Sequence, residues 1–198
     1  MRPLDLAGAW LFTPHLYQDR RGTFYEWFSN VVLEDSMKRR LQIAQANCSV
    51  SRRGVIRGIH FADVPPGQAK WITCTSGAIL DVIVDVRVGS PSFGQWTSAE
   101  LNAENKAAVF IEEGLGHGFS ALTEQATVFY LSSAPYDPEL EHGINPLDPG
   151  LGIQWPAAWE SILSDKDAAA PTLAKALAGG MLPAYSRCQR LIRACRVS

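Results

Sequence analysis

The feature that most constrains the fold is a series of short extended segments between Gln42 and Tyr136, separated by turn residues. The clearest reads WITCTSGAILDVIVDVRV, in which β-branched residues flank a turn at Ser76-Gly77. Many short strands with frequent turns favour an antiparallel sandwich or barrel over a parallel α/β fold. We therefore expect an all-β fold.

One of these segments shows a regular alternation of side chains. Val82 and Val84 alternate with Asp81, Ile83 and Asp85. Successive side chains of a strand point to opposite faces, so the valines are expected on one face and the acids on the other. An inward acid on such a strand can pair with an arginine or with the backbone. For Asp81 the alternative is to be a second partner of His60.

The chain changes character at Ala157. The segments DAAAPTLAKALAGG and YSRCQRLIRAC contain helix-forming residues and are separated by Gly179-Gly180 and Pro183. We expect one domain over residues 1–198, with a barrel over about 1–156 and a helical segment over 157–198. Four arginines recur every third residue in the last helix and predict a solvated face: Arg187, Arg190, Arg193 and Arg196.

Composition excludes several classes of partner. The chain has 198 residues, 46% hydrophobic and 19% charged, with a formal net charge of −2, so no overall basic field attracts nucleic acid or a membrane surface. No signal peptide or membrane span is recognisable, and a cytoplasmic location is expected. The cysteines have no zinc-binding spacing and are expected to be buried free thiols: Cys48, Cys74, Cys188 and Cys195.

Two of the four histidines have settings that point to chemistry. His60 lies on a predicted strand in GVIRGIHF, and His117 lies between glycines in EEGLGHGF. His15 and His142 lack such settings and are expected at the surface. Either of the first two can also be read as a structural histidine.

The residues that follow His60 favour a catalytic interpretation. Lys70 comes just after the Pro65-Pro66-Gly67 turn, so a hairpin would place His60 and Lys70 on neighbouring strands. Tyr130 lies on another predicted strand, on the same face as Val128 and Ser132. A histidine, a lysine and a tyrosine facing one barrel interior would supply a base, an electrostatic clamp and an acid.

A metal site is not expected. Barrels that hold iron or manganese usually present two histidines one residue apart, followed by a glutamate. Here the second position is Phe61, and no carboxylate follows before Asp63. His60 and His117 alone provide too few ligands, because three or four are normally needed.

An ordered set of motifs resembles one family. DRRGTFYEWF, QAN, SRRGVIRGIHF, PPGQAKWI, GAILDVIVDVRVGSPSFGQW, EEGLGHGF, YDPELEHGI, LDPGLGIQWP and LSDKD occur in this order. Together they resemble the dTDP-4-dehydrorhamnose 3,5-epimerase family over about residues 10–167. The ending GGMLPAYSRCQ is similar to family members that make antibiotic sugars.

The resemblance implies a cupin-type jelly-roll barrel, a homodimer, and no metal or redox cofactor. It implies a dTDP-4-keto-6-deoxy-hexose substrate whose carbon 3, or carbons 3 and 5, are inverted. By motif, His60 resembles the general base and Asp167 its orienting carboxylate. Lys70 resembles the group that stabilises the enolate, and Tyr130 the acid on the opposite face.

The remaining matched positions resemble substrate-binding residues. Those that contact the substrate within one chain are Gln45, Asn47, Arg57, His117 and Glu141, with Tyr136 placed to stack on the base. Those that reach the nucleotide in the neighbouring subunit are Arg21, Phe24 and Glu26. The alternatives are a nucleotide-sugar 3,4-ketoisomerase, a metal-dependent cupin enzyme and a non-catalytic binding module.

Overall fold

The structure is a computed structural model that describes residues 1–195, so Arg196 of the predicted arginine face lies outside the described residues. Its strands are β1 (Arg2–Pro3), β2 (Ala9–Phe12), β3 (Tyr17–Asp19), β4 (Gly22–Phe24), β5 (Gln45–Arg52), β6 (Ile56–Ala62), β7 (Lys70–Ser76), β8 (Ala78–Val84), β9 (Trp96–Asn102), β10 (Ala108–Ile111), β11 (Gly116–Ala121), β12 (Gln125–Ser132) and β13 (Glu141–Gly143). Its helices are α1 (Asn30–Met37), α2 (Asp165–Ala169), α3 (Leu173–Ala178) and α4 (Tyr185–Ala194).

The strands form two stacked antiparallel sheets and one small hairpin. The six-stranded sheet has the order β1-β2-β10-β7-β12-β5, and the five-stranded sheet has the order β13-β6-β11-β8-β9. Strands β5 to β8 alternate between the sheets, so the chain crosses the sandwich repeatedly. This is the connectivity of a jelly roll, and the predicted all-β, cupin-type fold is confirmed.

Strand β8 shows why the hydrophobic pattern is almost continuous there. Ile83 packs between the two sheets with Ile72 and Phe119. Val82 and Val84 face the other side, where Leu173 and the C-terminal segment cover them. Both faces of β8 are therefore buried, and the predicted alternation of faces is confirmed.

Helix α1 was not predicted, because helical periodicity is weak before residue 157. Leu33 is its one buried residue, and the cluster that it joins includes Trp71 and Phe110 on the outer face of the six-stranded sheet. The helix ends at Met37, and its C-cap residue Lys38 has a φ of 53°, in the left-handed region. Such a short helix depends on packing for its stability rather than on helix propensity.

The helices expected after residue 157 are present. Helix α3 is followed by Gly179 and Gly180, and α4 packs on the barrel through the buried Cys188. Beneath α4, the fully buried Arg87 pairs with Asp85, and its guanidinium lies 5.1 Å from the Tyr185 ring. Arg187, Arg190 and Arg193 are exposed, as predicted.

Three surface assignments need correction. Cys74 and Cys188 are buried, and burial raises the pKa of each thiol to about 11. Cys48 is exposed because its side chain points outward from β5, and Cys195, near the end of the chain, is only partly buried. His142 is half-buried rather than free at the surface, since its ring bonds to Asp63 at 2.9 Å. No helix among residues 1–195 is long and apolar enough to span a bilayer.

Candidate active site

A cavity of about 370 Å³ opens between the two sheets. The five-stranded sheet contributes His60 and His117 to it, and the six-stranded sheet contributes Lys70 and Tyr130. Ile162 and neighbouring residues of the C-terminal segment close one side. The four polar side chains therefore meet from opposite walls.

The predicted hairpin between His60 and Lys70 is wrong, although the two residues do meet. Strand β6 belongs to the five-stranded sheet and β7 to the six-stranded sheet, so Pro65, Pro66 and Gly67 carry the chain across the sandwich. At Gly67 φ is +74°, and a Cβ would approach Glu113 Cγ to 2.7 Å. A turn signal in a sequence does not specify which sheet the next strand joins.

His60 is held by a carboxylate from the C-terminal segment. Its Nε2 lies 2.6 Å from Oδ1 of Asp167, which is 5% exposed. Helix α2 places Asp167, and the Ser164 hydroxyl caps that helix by accepting the Asp167 backbone N–H. Burial opposes ionisation of Asp167, but hydrogen bonds from His60 and Ser164 outweigh it, so the pKa of the carboxyl lies below its ordinary value.

Lys70 and Tyr130 are neighbours on adjacent strands. Tyr130 is paired with Ile72 in the β12–β7 register and Lys70 with Ser132, so the two side chains share a face. Burial lowers the pKa of Lys70, and the charges of Glu141 and Asp81 offset only part of that shift. Burial and Glu141 raise the pKa of Tyr130, so its phenol keeps its proton at neutral pH.

His117 forms a second pair with a carboxylate. Its Nε2 lies 2.7 Å from Oδ2 of Asp81, which has no exposed surface. The sequence left the partner of Asp81 open, and the structure assigns it to His117. It assigns Asp85 to Arg87, the arginine pairing considered above.

A smaller compartment of about 190 Å³ shares His60, Lys70 and Tyr130 with the main cavity. The predicted substrate-binding residues at its walls are Gln45, Asn47, Tyr136 and Glu141. Arg57 lines the main cavity and donates to Ser51 at 3.0 Å.

Sequence reasoning missed a cation of this site. Lys166 lines both compartments, and its ammonium lies 5.8 Å from the centre of the exposed Tyr136 ring. The available signal was its position directly before Asp167. Both residues belong to the short helix α2, so a helix that brings Asp167 to the cavity also brings Lys166 near it.

Three predicted substrate-binding residues lie away from this cavity. Arg21 and Phe24 belong to the small β3–β4 hairpin, and Glu26 follows it. Arg21 pairs with Asp19, and Phe24 is 68% exposed, beside Tyr17. We call the β3–β4 hairpin together with Glu26 the arm. Within one chain the structure does not bring the arm to His60.

Known proteins resemble this chain in sequence and in fold. A sequence profile of dTDP-4-dehydrorhamnose 3,5-epimerases matches residues 3–175. The chain belongs to this family. The predicted resemblance is confirmed, and the chain is an epimerase, an enzyme of the isomerase class.

Individual family members show the same relationship. The dTDP-4-dehydrorhamnose 3,5-epimerase of Mycolicibacterium smegmatis is 51% identical over 98% of this chain and 96% of its own. A dTDP-4-dehydrorhamnose 3-epimerase of Streptomyces niveus is 50% identical over 96% of this chain and 91% of its own. The crystal structure of a 3′-monoepimerase from Streptomyces bikiniensis, in complex with dTDP-quinovose, is 47% identical, covers 100% of both chains and has a TM-score of 0.97. The family relatives thus include enzymes named for one inversion and for two.

Proposed function

We propose that this epimerase acts on a dTDP-4-keto-6-deoxy-hexose, inverts carbon 3, or carbons 3 and 5, through an enolate without a cofactor, and serves deoxysugar biosynthesis. The observation that carries the proposal is the placement of His60 with Asp167 on one wall of the cavity and Tyr130 with Lys70 on the other. Inversion needs a proton removed from one face of a carbon and delivered to the opposite face, which two opposed walls provide.

His60 is the proposed base. The Asp167 carboxylate accepts the Nε2 proton, so Nδ1 is the nitrogen left to take a proton from the carbon beside the ketone. The electron pair of the C–H bond moves to form the enolate, and its negative charge gathers on the ketone oxygen. Asp167 also stabilises the imidazolium formed in this step.

Lys70 and Tyr130 complete the proposed reaction. The Lys70 ammonium stabilises the enolate oxygen, which lowers the barrier to removing a weakly acidic proton. The Tyr130 phenol then donates its proton to the opposite face of the carbon, and the ketone is restored. Because the pKa of Tyr130 is raised, the phenol holds that proton at neutral pH.

The substrate diphosphate requires cations that the net charge of the chain does not supply. Arg57 and Lys166 lie at the cavity and are placed to bind the diphosphate. The other proposed substrate contacts are those of Gln45, Asn47, His117, Tyr136 and Glu141. We propose a homodimer in which Arg21, Phe24 and Glu26 of one copy reach the nucleotide in the other. The exposure of the large apolar Phe24 side chain supports this role.

We also propose that residues 1–198 form one domain and that the enzyme is cytoplasmic. The dependence of the His60 site on Asp167 from the C-terminal segment supports the first point. The described cysteines are all free thiols, which is typical of a reducing compartment.

Proton exchange in heavy water tests the function. The protein would be mixed with dTDP-4-keto-6-deoxyglucose, and deuterium at carbons 3 and 5 would be followed by NMR. We expect incorporation at carbon 3 or at both carbons, lost in His60→Asn and retained in His142→Asn, whose histidine pairs with Asp63 instead. Folded wild-type protein that binds dTDP but incorporates no deuterium would overturn the proposal, and a migrated carbonyl would identify a ketoisomerase.

A further inference from the structure

The cavity contains a second histidine–carboxylate pair that the proposed proton transfer does not use. Asp81 has no exposed surface, and its Oδ2 lies 2.7 Å from Nε2 of His117. Its other oxygen, Oδ1, is buried and has no hydrogen-bond partner among the described residues. A carboxylate buried with one hydrogen bond is costly, so its retention at this point needs a reason.

The fold places the His117–Asp81 pair beside the His60–Asp167 pair. His117 lies opposite Ile83 in the β11–β8 register and Asp81 lies opposite Phe119, so the two side chains form a diagonal pair on one face. On the other side of β11, His117 lies opposite His60. The two histidines are therefore adjacent, and each bonds its own carboxylate through Nε2.

The glycines around His117 are required by this packing. A Cβ at Gly116 would approach Ile59 Cγ2 to 2.7 Å, and one at Gly118 would approach the Arg57 carbonyl oxygen to 2.7 Å. Strand β6 thus lies close against β11, which fixes the backbone on both sides of His117. The hydrogen bond to Asp81 holds its ring through Nε2.

A carboxylate only accepts hydrogen bonds when it is ionised. Asp81 therefore requires the proton of a neutral His117 ring to be on Nε2. The lone pair of such a ring is on Nδ1, which is the nitrogen left for a ligand in the cavity. In this state His117 accepts a hydrogen bond and does not donate one.

We propose that Asp81 is a positioning residue that fixes His117 in its Nε2–H form, so that Nδ1 accepts a hydrogen bond from a hydroxyl of the sugar. The proposal rests on the proposed function, because it names how the same cavity recognises its substrate. It makes Asp81 and His117 a recognition pair beside the proton-transfer pair of His60 and Asp167. Asp81 acts through His117 and does not touch the sugar.

The first test reads the tautomer directly. Protein labelled with ¹⁵N-histidine would be studied by long-range ¹H–¹⁵N NMR, with His117 assigned by its loss in His117→Ala. We expect a neutral Nε2–H ring in the wild type and a change toward Nδ1–H in Asp81→Asn, because the amide can donate to Nε2. A wild-type ring with Nδ1–H, or an unchanged ring in Asp81→Asn, would overturn the proposal.

The second test separates positioning from a merely structural role. We expect Asp81→Asn to lower kcat/KM for exchange roughly 10- to 100-fold, as loss of an orienting partner does. The affinity for dTDP and the Tm should stay close to wild type. If dTDP affinity and Tm both fall together with kcat/KM, Asp81 only maintains the fold of the cavity and the proposal is overturned.

Two further variants complete this test. In His117→Ala, the added Asp81→Asn change should cost nothing more, because its effect passes through His117. A loss that persists there would overturn the proposal and assign the effect of Asp81 to Lys70, whose pKa its charge also influences. Asp63→Asn is the matched control, since it alters the similar His142 pair outside the cavity and should leave exchange unchanged.

Failure of this inference is distinguishable from failure of the proposed function. The tautomer and dTDP affinity are measured without turnover. A wild type that exchanges no deuterium would count against the epimerase reaction on this substrate, while the state of His117 would still be read from its own NMR signal.

Discussion

At the scale of single residues, the cavity combines opposite effects of burial on three groups. Burial lowers the pKa of Lys70 and raises that of Tyr130, while hydrogen bonds keep the pKa of Asp167 low despite its burial. These effects favour the protonated phenol of Tyr130 and the ionised carboxylate of Asp167. The Lys70 ammonium depends on the charges of Glu141 and Asp81 to offset its burial. These are the forms that enolate stabilisation, proton donation and histidine orientation require.

The pKa of Lys70 predicts the alkaline limit of activity. Lys70 loses its charge as the pH rises through a pKa that lies below 10.5, so kcat should fall before that pH is reached. Tyr130 does not explain the fall, because its pKa lies above 10.0. The check is kcat for exchange between pH 6 and 10 in the wild type and in Lys70→Arg. The guanidinium stays charged, so the residual activity of that variant should not decline; an identical decline in both would contradict the assignment.

The position of Tyr130 predicts exchange without inversion. In Tyr130→Phe, His60 still removes the carbon proton. Because the acid on the opposite face is missing, a proton returns from His60 to the face that lost it. We expect deuterium to enter carbon 3 with retained configuration, while formation of the epimer falls by about 100-fold or more, as is usual for a lost general acid. NMR of the recovered sugar measures both. Equal losses of exchange and inversion would show that Tyr130 acts before enolate formation.

At the scale of elements, the sequence predicted the strands and the helical C-terminal segment but not how the elements meet. Alternation along β8 identified its two faces because both cover apolar clusters. Helix α1 was missed because Leu33 is its only fully buried residue. The crossing after β6 was missed because prolines mark a turn without specifying which sheet the next strand joins. The contact between His60 and Asp167 spans 107 positions, so only the family resemblance, and no local pattern, led to it.

Helix α2 carries a prediction at this scale. Ser164→Ala removes the cap that accepts the Asp167 N–H, which should cost about 1 kcal/mol of stability and also loosen the carboxylate that orients His60. Thr172→Ala removes the equivalent cap of α3 and is the matched control. Urea unfolding should show similar losses in both, while kcat/KM should fall about tenfold only in Ser164→Ala, as for an orienting contact. Equal activities in the two variants would mean that the cap does not position Asp167.

At the scale of the whole molecule, the exposed arm is the predicted binding element that does not reach the cavity of its own chain. Arg21, Phe24 and Glu26 lie on or beside the separate β3–β4 hairpin, and Phe24 is one of the most exposed apolar residues of the described chain. A second exposed apolar pair, Val50 and Phe129, lies on adjacent strands of the six-stranded sheet. Both features are typical of surfaces that a second copy covers.

A mixing experiment tests whether the arm completes the site of the other copy. His60→Asn inactivates a cavity but keeps its arm, and the double variant Arg21→Ala/Phe24→Ala keeps its cavity but lacks a working arm. Each protein alone should show little exchange. If arms act across the dimer, a heterodimer contains one complete site, so an equal mixture that has exchanged subunits should reach about a quarter of wild-type activity. The same mixture assayed before its subunits have exchanged should stay inactive. If native mass spectrometry shows heterodimers but no activity is recovered, each arm serves the cavity of its own chain.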